Sequence, residues 1–387
     1  MNKEQEYWLA LTLLPKVGAR TIETLVESFG SVAAVFEAPP DELSRRCGLR
    51  PLLAGQITAS LESPGLQEEK KLLEQHGARL IVRGDADYPR RLQAIRLPPP
   101  LLYCRGPAPL SAGPVLSVVG TRRSTRYGEK TTRRMIEELA RLRPDTVVVS
   151  GLARGIDTVA HRQALDCGLK TMAVLAGGLS RTYPPENREL AEEIAATGAL
   201  LTEFPMAAPP MGRQFPMRNR IISGLCSTLL VVEAGERSGA LITAGFAQNH
   251  RRPVLAVPGN LDLPSFAGVN RLIQQGQARL ATCGADLAAA LEDGRSKAIR
   301  QMEMGIDGGD PPHDGMDTAA ADSRQDSPPL DGDHGRVVEA LKKGALHPDD
   351  LAAELGLPIE KLLGLLLELE LSGEIYQTAG NLYSLDT

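Results

Sequence analysis

The stretch from Val115 to Gly155 leaves the chain few choices of fold. Val115–Val119 is a short β-branched run stopped by Gly120, and Met135, Ile136, Leu139 and Leu142 then recur at helical spacing. Thr146 to Val149 is a second β-branched run, closed by another glycine turn. Strand, helix and strand in that order make a βαβ unit, so the sheet is parallel and helices cover its faces. Further strands are expected at Thr171–Leu175, Ala199–Glu203, Thr228–Val232 and Val254–Val257. Helical patterns near 156–166, 187–196, 215–225 and 240–250 separate them. The predicted class is α/β, a Rossmann-like parallel sheet whose ligands sit at the carboxyl ends of the strands.

The turns at those ends share a chemical character. Between Thr121 and Arg134 there are six basic residues, Arg122, Arg123, Arg126, Lys130, Arg133 and Arg134, against one acid, Glu129. The G-x-G-x-x-G run of a dinucleotide site is missing, and several guanidinium groups suit more than one phosphate. A solvated basic helix face is the plainer alternative. The later turns bring further candidates: Ser150, Gly151, Arg154 and Gly155, then Gly177, Gly178, Arg181 and Tyr183, then Arg218, Asn219 and Arg220, then Ser238 and Gly239. Amides and guanidiniums for phosphates, with an aromatic ring to stack on, hold a single strand without reading its sequence. Tyr183 is the stacking candidate, against the reading of an ordinary half-buried loop tyrosine.

The net charge of −5 hides an asymmetry: residues 303–334 carry −8 and residues 335–387 carry −5, which leaves +8 on residues 1–302. The basic part of the molecule is the part with the sheet, which suits a polyanion. Five scattered cysteines without a C-x-x-C pair read as reduced thiols, and no apolar run approaches a membrane span. The expectation is a cytoplasmic protein.

Four regions follow. Residues 1–75 read as a helical domain of helix-hairpin-helix or SAM-like type, with Gly18 either offering amides to a phosphate or only joining two helices. Residues 76–292 are the Rossmann-like domain, entered by a strand at Ala78–Val82 and an extended Pro-rich approach from Tyr88 to Gly106. Residues 293–334, rich in Asp, Gly, Pro, Ser and Ala, read as a disordered acidic linker able to compete with DNA for the basic face. Residues 335–387 read as a winged helix turning at Ala379-Gly380-Asn381. Its third helix carries Lys361 beside Glu360, Glu368 and Glu370, so protein contact is expected there and not duplex reading.

GTRRSTRYG (Gly120–Gly128), SGLARGIDTVAH (Ser150–His161), YPPEN (Tyr183–Asn187), TEFP (Thr202–Pro205), FPMRNRIISGL (Phe215–Leu225), ERSGALITA (Glu236–Ala244) and VPGN (Val257–Asn260) occur in this order. In that order they resemble the DNA-processing protein A (DprA/Smf) family, over Tyr88 to about Leu291. The resemblance implies a single-stranded DNA-binding recombination mediator, not an enzyme, which loads RecA on incoming DNA in natural transformation and dimerises through its Rossmann-like domain. It places phosphate contacts on Gly120, Thr121, Arg122 and Ser124, with Arg122 principal, and maps Ser150, Gly151, Gly155 and Asp157 onto the second turn. Arg218, Asn219, Arg220, Ser238 and Gly239 match its later motifs. Pro185 stands where some members carry a lysine, a contact either lost or replaced by Arg181.

No cofactor or metal is expected, since nucleotide-loop and H-E-x-x-H motifs are lacking and the histidines are scattered. Asp157 and His161, at i and i+4, form either a proton-transfer pair or a helix-terminal ion pair. With Glu203 and Glu233 they are the carboxylates and base that cleavage of a nucleotide N-glycosidic bond would need. A nucleotide sensor is the remaining alternative.

Overall fold

A computed structural model describes residues 1–15, 17–108, 113–303, 332–371, 374–378 and 382–385. Most of the expected linker, 293–334, and the expected wing turn at 379–381 lie outside the described residues. Helix Gly284–Glu303 runs past residue 292, where the linker was expected to begin.

One sheet organises the molecule. Its strands are β1 (Arg79–Val82), β2 (Leu101–Arg105), β3 (Val115–Val119), β4 (Val147–Ser150), β5 (Lys170–Val174), β6 (Ala199–Thr202), β7 (Thr228–Val231), β8 (Val254–Ala256) and β9 (Arg279–Leu280). They lie in the order β1-β2-β6-β5-β4-β3-β7-β8-β9. All neighbours from β6 through β9 are parallel. The chain steps one way from β3 to β6, then returns to lay β7 on the other side of β3. This makes β3 the point where strand order reverses, the place at which open α/β sheets bind ligands.

Side chains alternate across β3 with the period of two that a strand imposes. Leu116 and Val118 pack with Met135, Ile136 and Leu139 of helix Arg126–Leu142 and with Leu287 and Leu291 of helix Gly284–Glu303. Val115 and Val119 face the other way, onto Ile221, Ile222 and Leu225 of helix Gln214–Leu225 and Leu241 and Ala244 of helix Gly239–Asn249. Ser117 points to the same side and gives its hydroxyl proton to the Ile222 carbonyl at 2.8 Å, so the buried polar group is satisfied.

The Pro-rich approach departs from expectation twice. Pro89 opens a single helical turn, Arg90–Gln93. Leu101–Arg105 is then a sheet strand, antiparallel both to β6, with Tyr103 opposite Thr202, and to β1. The prolines end at Pro100, so none interrupts the ladder, and Leu101 through Cys104 are apolar enough for burial on both faces. The N-terminal helices, including Lys3–Leu13 and Ala19–Phe29, share one apolar core with this end of the sheet: Leu9, Leu11 and Leu25 join Leu80, Leu101, Tyr103 and Leu175.

The C-terminal module has helices Asp333–Leu341, Pro348–Leu355 and Ile359–Leu371 and a hairpin of β10 (Ile375–Thr378) with β11 (Leu382–Leu385). Its third helix, the one that would enter a major groove in a duplex reader, packs on helix Gly239–Asn249 of the main domain. This face of the third helix is therefore occupied within the chain. At this contact Glu368 is buried between His334, whose Nε2 is 2.8 Å away, and His250, whose Nε2 is 3.6 Å away. Burial alone would raise the Glu368 carboxyl, but the two imidazoles bring it down to about 2. Glu374 closes the edge by accepting from Arg20 at 2.6 Å and Arg96 at 2.8 Å. Among the described residues, no helix is long and apolar enough to cross a membrane.

Candidate nucleic-acid interface

The ends of β3, β4 and β5 open onto one cavity. It is lined by Arg122, Gly151, Arg154, Gly177, Arg181, Tyr183, Phe215 and Arg218, among others. Three separate turns and the helix Gln214–Leu225 therefore meet, as the parallel sheet requires of its carboxyl ends.

The first turn is held from beneath. Glu233, fully buried just past β7, accepts hydrogen bonds from the Thr125 amide and the Thr125 hydroxyl, each at 3.0 Å. The Thr125 hydroxyl in turn accepts from the Gly128 amide at 3.1 Å, capping the helix. Gly128 is required there, since a Cβ would come within 2.3 Å of the Glu233 carboxylate. The Thr121 amide donates to the Glu233 carbonyl at 2.7 Å. The amides of Arg122, Ser124, Arg154 and Gly155 have no acceptor among the described residues and remain available to an anion. The Gly151 amide does not, because Asp157 takes it at 3.1 Å together with the Ala153 amide at 3.3 Å.

Two cations and two rings shape the rim. The exposed Arg122 lies 4.7 Å above the Phe215 ring, and no carboxylate engages it among the described residues. Arg181 is likewise exposed and has no carboxylate partner among the described residues. Tyr183, 43 % exposed, meets Phe215 edge to face with centroids 6.0 Å apart, so an accessible ring lines the same cavity as the two guanidiniums. Arg154 also reaches the rim, but Glu186 engages it and holds its own carboxyl below the usual range through that bond.

Arg218 and Arg220 correct an expectation. Both were read as charge contacts, and both are buried, at 4 % and 3 % exposure. Arg218 forms the cavity floor by donating to the carbonyls of Gly151 and Val174. Burial lowers its guanidinium to about 10, with Asp157 opposing the shift. Arg220 points elsewhere, donating to the Leu97 carbonyl at 2.7 Å and to Glu203. The helix puts residues 218 and 220 about 200° apart, so they cannot serve one surface. Asn219 lies between them and reaches the Gly239 carbonyl at 3.4 Å, while Ser238 caps its helix at the Ala240 amide. Neither Ser238 nor Gly239 lines the cavity.

Asp157 and His161 do not pair. The carboxylate turns back to the amides before its helix, and His161 Nδ1 is instead 2.7 Å from the Thr171 hydroxyl. Burial depresses His161 to about 3, which leaves it neutral at ordinary pH. Asp157, Glu203 and Glu233 all lie outside the cavity lining. Glu203 is occupied by Arg220 and Glu233 by Thr125. Phe215 is the rim residue that sequence reasoning missed. Its signal was an aromatic one turn before Arg218 within a basic motif.

Comparison with known proteins agrees with this geometry. Residues 79–292 match the family described as DNA recombination-mediator protein A, and residues 321–381 match the DprA winged helix domain. Protein Smf of Synechocystis is 33 % identical, with 99 % of both chains covered. The DNA processing protein DprA of Bacillus subtilis is 40 % identical over 55 % of this chain and 71 % of its own. The X-ray structure of DprA from Streptococcus pneumoniae superposes with a TM-score of 0.65 at 33 % identity, covering 75 % of this chain and 98 % of that one. A Helicobacter pylori DprA structure, described for its single-stranded DNA binding mode, gives a TM-score of 0.51 at 28 % identity over 56 % of this chain and 96 % of its own. By motif order, strand topology and full-length similarity, the chain belongs to the DprA/Smf family of DNA recombination-mediator proteins.

Proposed function

We propose that this chain binds single-stranded DNA without reading its sequence and presents it to RecA, as a cytoplasmic homodimer assembled through the Rossmann-like domain. The observation that carries the reading is that Arg122 and Arg181, without a carboxylate partner among the described residues, line one cavity with the Tyr183–Phe215 pair at the strand ends. Guanidiniums with no internal carboxylate suit phosphates, and an exposed ring suits a base of any identity. The amides of the first two turns that have no acceptor among the described residues add donors at the same strand ends. Arg181 serves where Pro185 leaves no lysine, and Arg218 contributes positive potential from below without touching the strand. The units 1–75 and 335–387 flank this binding domain, and the chain carries out no catalysis of its own.

The test is a fluorescence-anisotropy titration against a dT oligomer, a duplex of equal length and AMP at several salt concentrations. Tight, salt-sensitive binding to the single strand alone is expected. Arg122→Ala should weaken it across sequences and reduce the magnitude of the log–log salt slope by about 0.7. Equal affinity for AMP, or its conversion to free base, would replace this reading by a nucleotide site. RecA loading is tested separately, by RecA filament formation on strands covered with single-strand-binding protein, with and without this protein.

A further inference from the structure

Exposed cations leave the cavity in a row. Arg122 and Arg123 stand on the turn after β3, and Arg126, Lys130 and Arg133 follow on helix Arg126–Leu142. Positions 126, 130 and 133 return to one side of the helix, while Thr131, Thr132, Met135, Ile136 and Leu139 are buried on the other. On a basic helix face that serves only solubility, acids at i+3 or i+4 take up the cations as ion pairs, and Glu129 and Glu137 stand at those spacings from Arg126 and Arg133. Here none of Arg123, Arg126, Lys130 and Arg133 has a carboxylate partner among the described residues. Glu129, the one acid in the run, accepts from Ser124 at 2.8 Å.

The pattern changes beyond that point. Arg134 donates to the Thr282 carbonyl at 2.9 Å, and Arg141 is paired with Glu137. The unpaired stripe thus begins at the cavity and stops after two helical turns. Along the axis, Lys130 and Arg133 lie about 6 and about 10 Å beyond Arg126, steps that long side chains match to successive phosphates of an extended strand. Tyr127 lies on the flank of the stripe, 50 % exposed. Its hydroxyl is fixed on the Pro258 carbonyl at 2.9 Å and its ring on Phe266 at 5.6 Å between centroids. A held, half-exposed ring beside free cations repeats the composition of the cavity rim.

We propose that this stripe is a second stretch of the DNA track: the strand leaves the cavity past Arg122 and Arg123 and lays further phosphates along Arg126, Lys130 and Arg133. The proposal rests on the cavity being a single-strand site. It makes the footprint longer than the cavity and gives the strand a direction, from the ends of β4 and β5 across β3 toward the exposed face of its helix.

The test uses the full chain, the triple variant R126Q/K130Q/R133Q, and dT oligomers of about 6 and about 20 nucleotides. The short oligomer, held by the cavity, should bind both proteins within about twofold. The long one should bind the variant at least about tenfold more weakly at low salt, with a log–log slope smaller in magnitude by about 2, three contacts at about 0.7 each. The charge-conserving R126K/R133K should retain the long-oligomer affinity, and R141Q, which removes a paired cation farther along, should leave the slope unchanged. Equal slopes for wild type and triple variant, equal losses on both oligomers, or a full share of the loss from R141Q would each overturn the stripe. Failure of the wild type to bind either oligomer would instead remove the cavity reading beneath it.

Discussion

Replacing Glu233 by alanine separates an anchor from a catalytic carboxylate. In the structure the carboxylate accepts two hydrogen bonds from Thr125 at 3.0 Å and lies against Gly128, so it fixes the end of the turn that carries Arg122. Hydrogen bonds to a charged acceptor each contribute about 1.5 to 3 kcal/mol, and water entering the vacated space returns part of that. A net loss of about 3 kcal/mol in local stability is expected, or about 100-fold in the opening equilibrium of the turn, at about 1.4 kcal/mol per tenfold. Amide hydrogen exchange reads this directly: Thr125 and Gly128 should lose about 100-fold in protection while the buried core strands keep theirs. Single-strand affinity should fall as well, because Arg122 would no longer be held over Phe215. Glu233→Gln retains one acceptor and should lie between alanine and wild type. Unchanged protection at Thr125 in the alanine variant would refute the anchoring argument. An intact turn with a lost AMP-cleaving activity would show that the carboxylate works on substrate.

Two further outcomes follow from the buried charges. Arg220→Ala strands the Glu203 carboxylate in the core, which should cost about 3 to 5 kcal/mol and lower the thermal midpoint. The salt slope for single strands should stay put, and a drop of about 0.7 would return Arg220 to the footprint. Acid should loosen the C-terminal module. Burial holds His250 below its ordinary value, against the hydrogen bond and charge of Glu368 and with Arg252 and Arg220 adding to the effect, so its contribution is complete above about 6.5 and is lost as pH falls below that. Glu368, depressed to about 2 beside His250 and His334, contributes above about 4.5 and loses this as pH falls through 2. Both act in one direction, so exchange protection of helix Ile359–Leu371 should decline as pH falls from about 7 to about 3, first through His250 and below about 4.5 through Glu368; Glu368→Gln, which removes the group that raises His250, should steepen the first part and abolish the second. Constant protection over this range would show that the contact does not depend on these groups.

The parallel core was legible because each of β3 to β8 is a β-branched or apolar run ending in a glycine or proline turn, a purely local signal. β2 was not, because three prolines stand directly before it and its pairing with β6 joins residues about a hundred positions apart. The site divides in the same way. Arg122, Arg181 and Tyr183 were readable as rim residues, since a turn at a strand end must face the ligand side whatever the rest of the chain does. Arg218 and Arg220 were not, since one helix carried both and only packing decides which guanidinium meets a carbonyl and which a carboxylate. The sequence reports charge but not whether a partner waits for it inside. Glu203 and Glu233 are that missing half: Glu203 takes up the Arg220 guanidinium in the core, and Glu233 holds the Thr125 end of the turn that carries Arg122. Residues 126, 130 and 133 have no such partner among the described residues, and that difference, invisible in a count of charges, is the ground for proposing a track for phosphates there in place of a solvated helix.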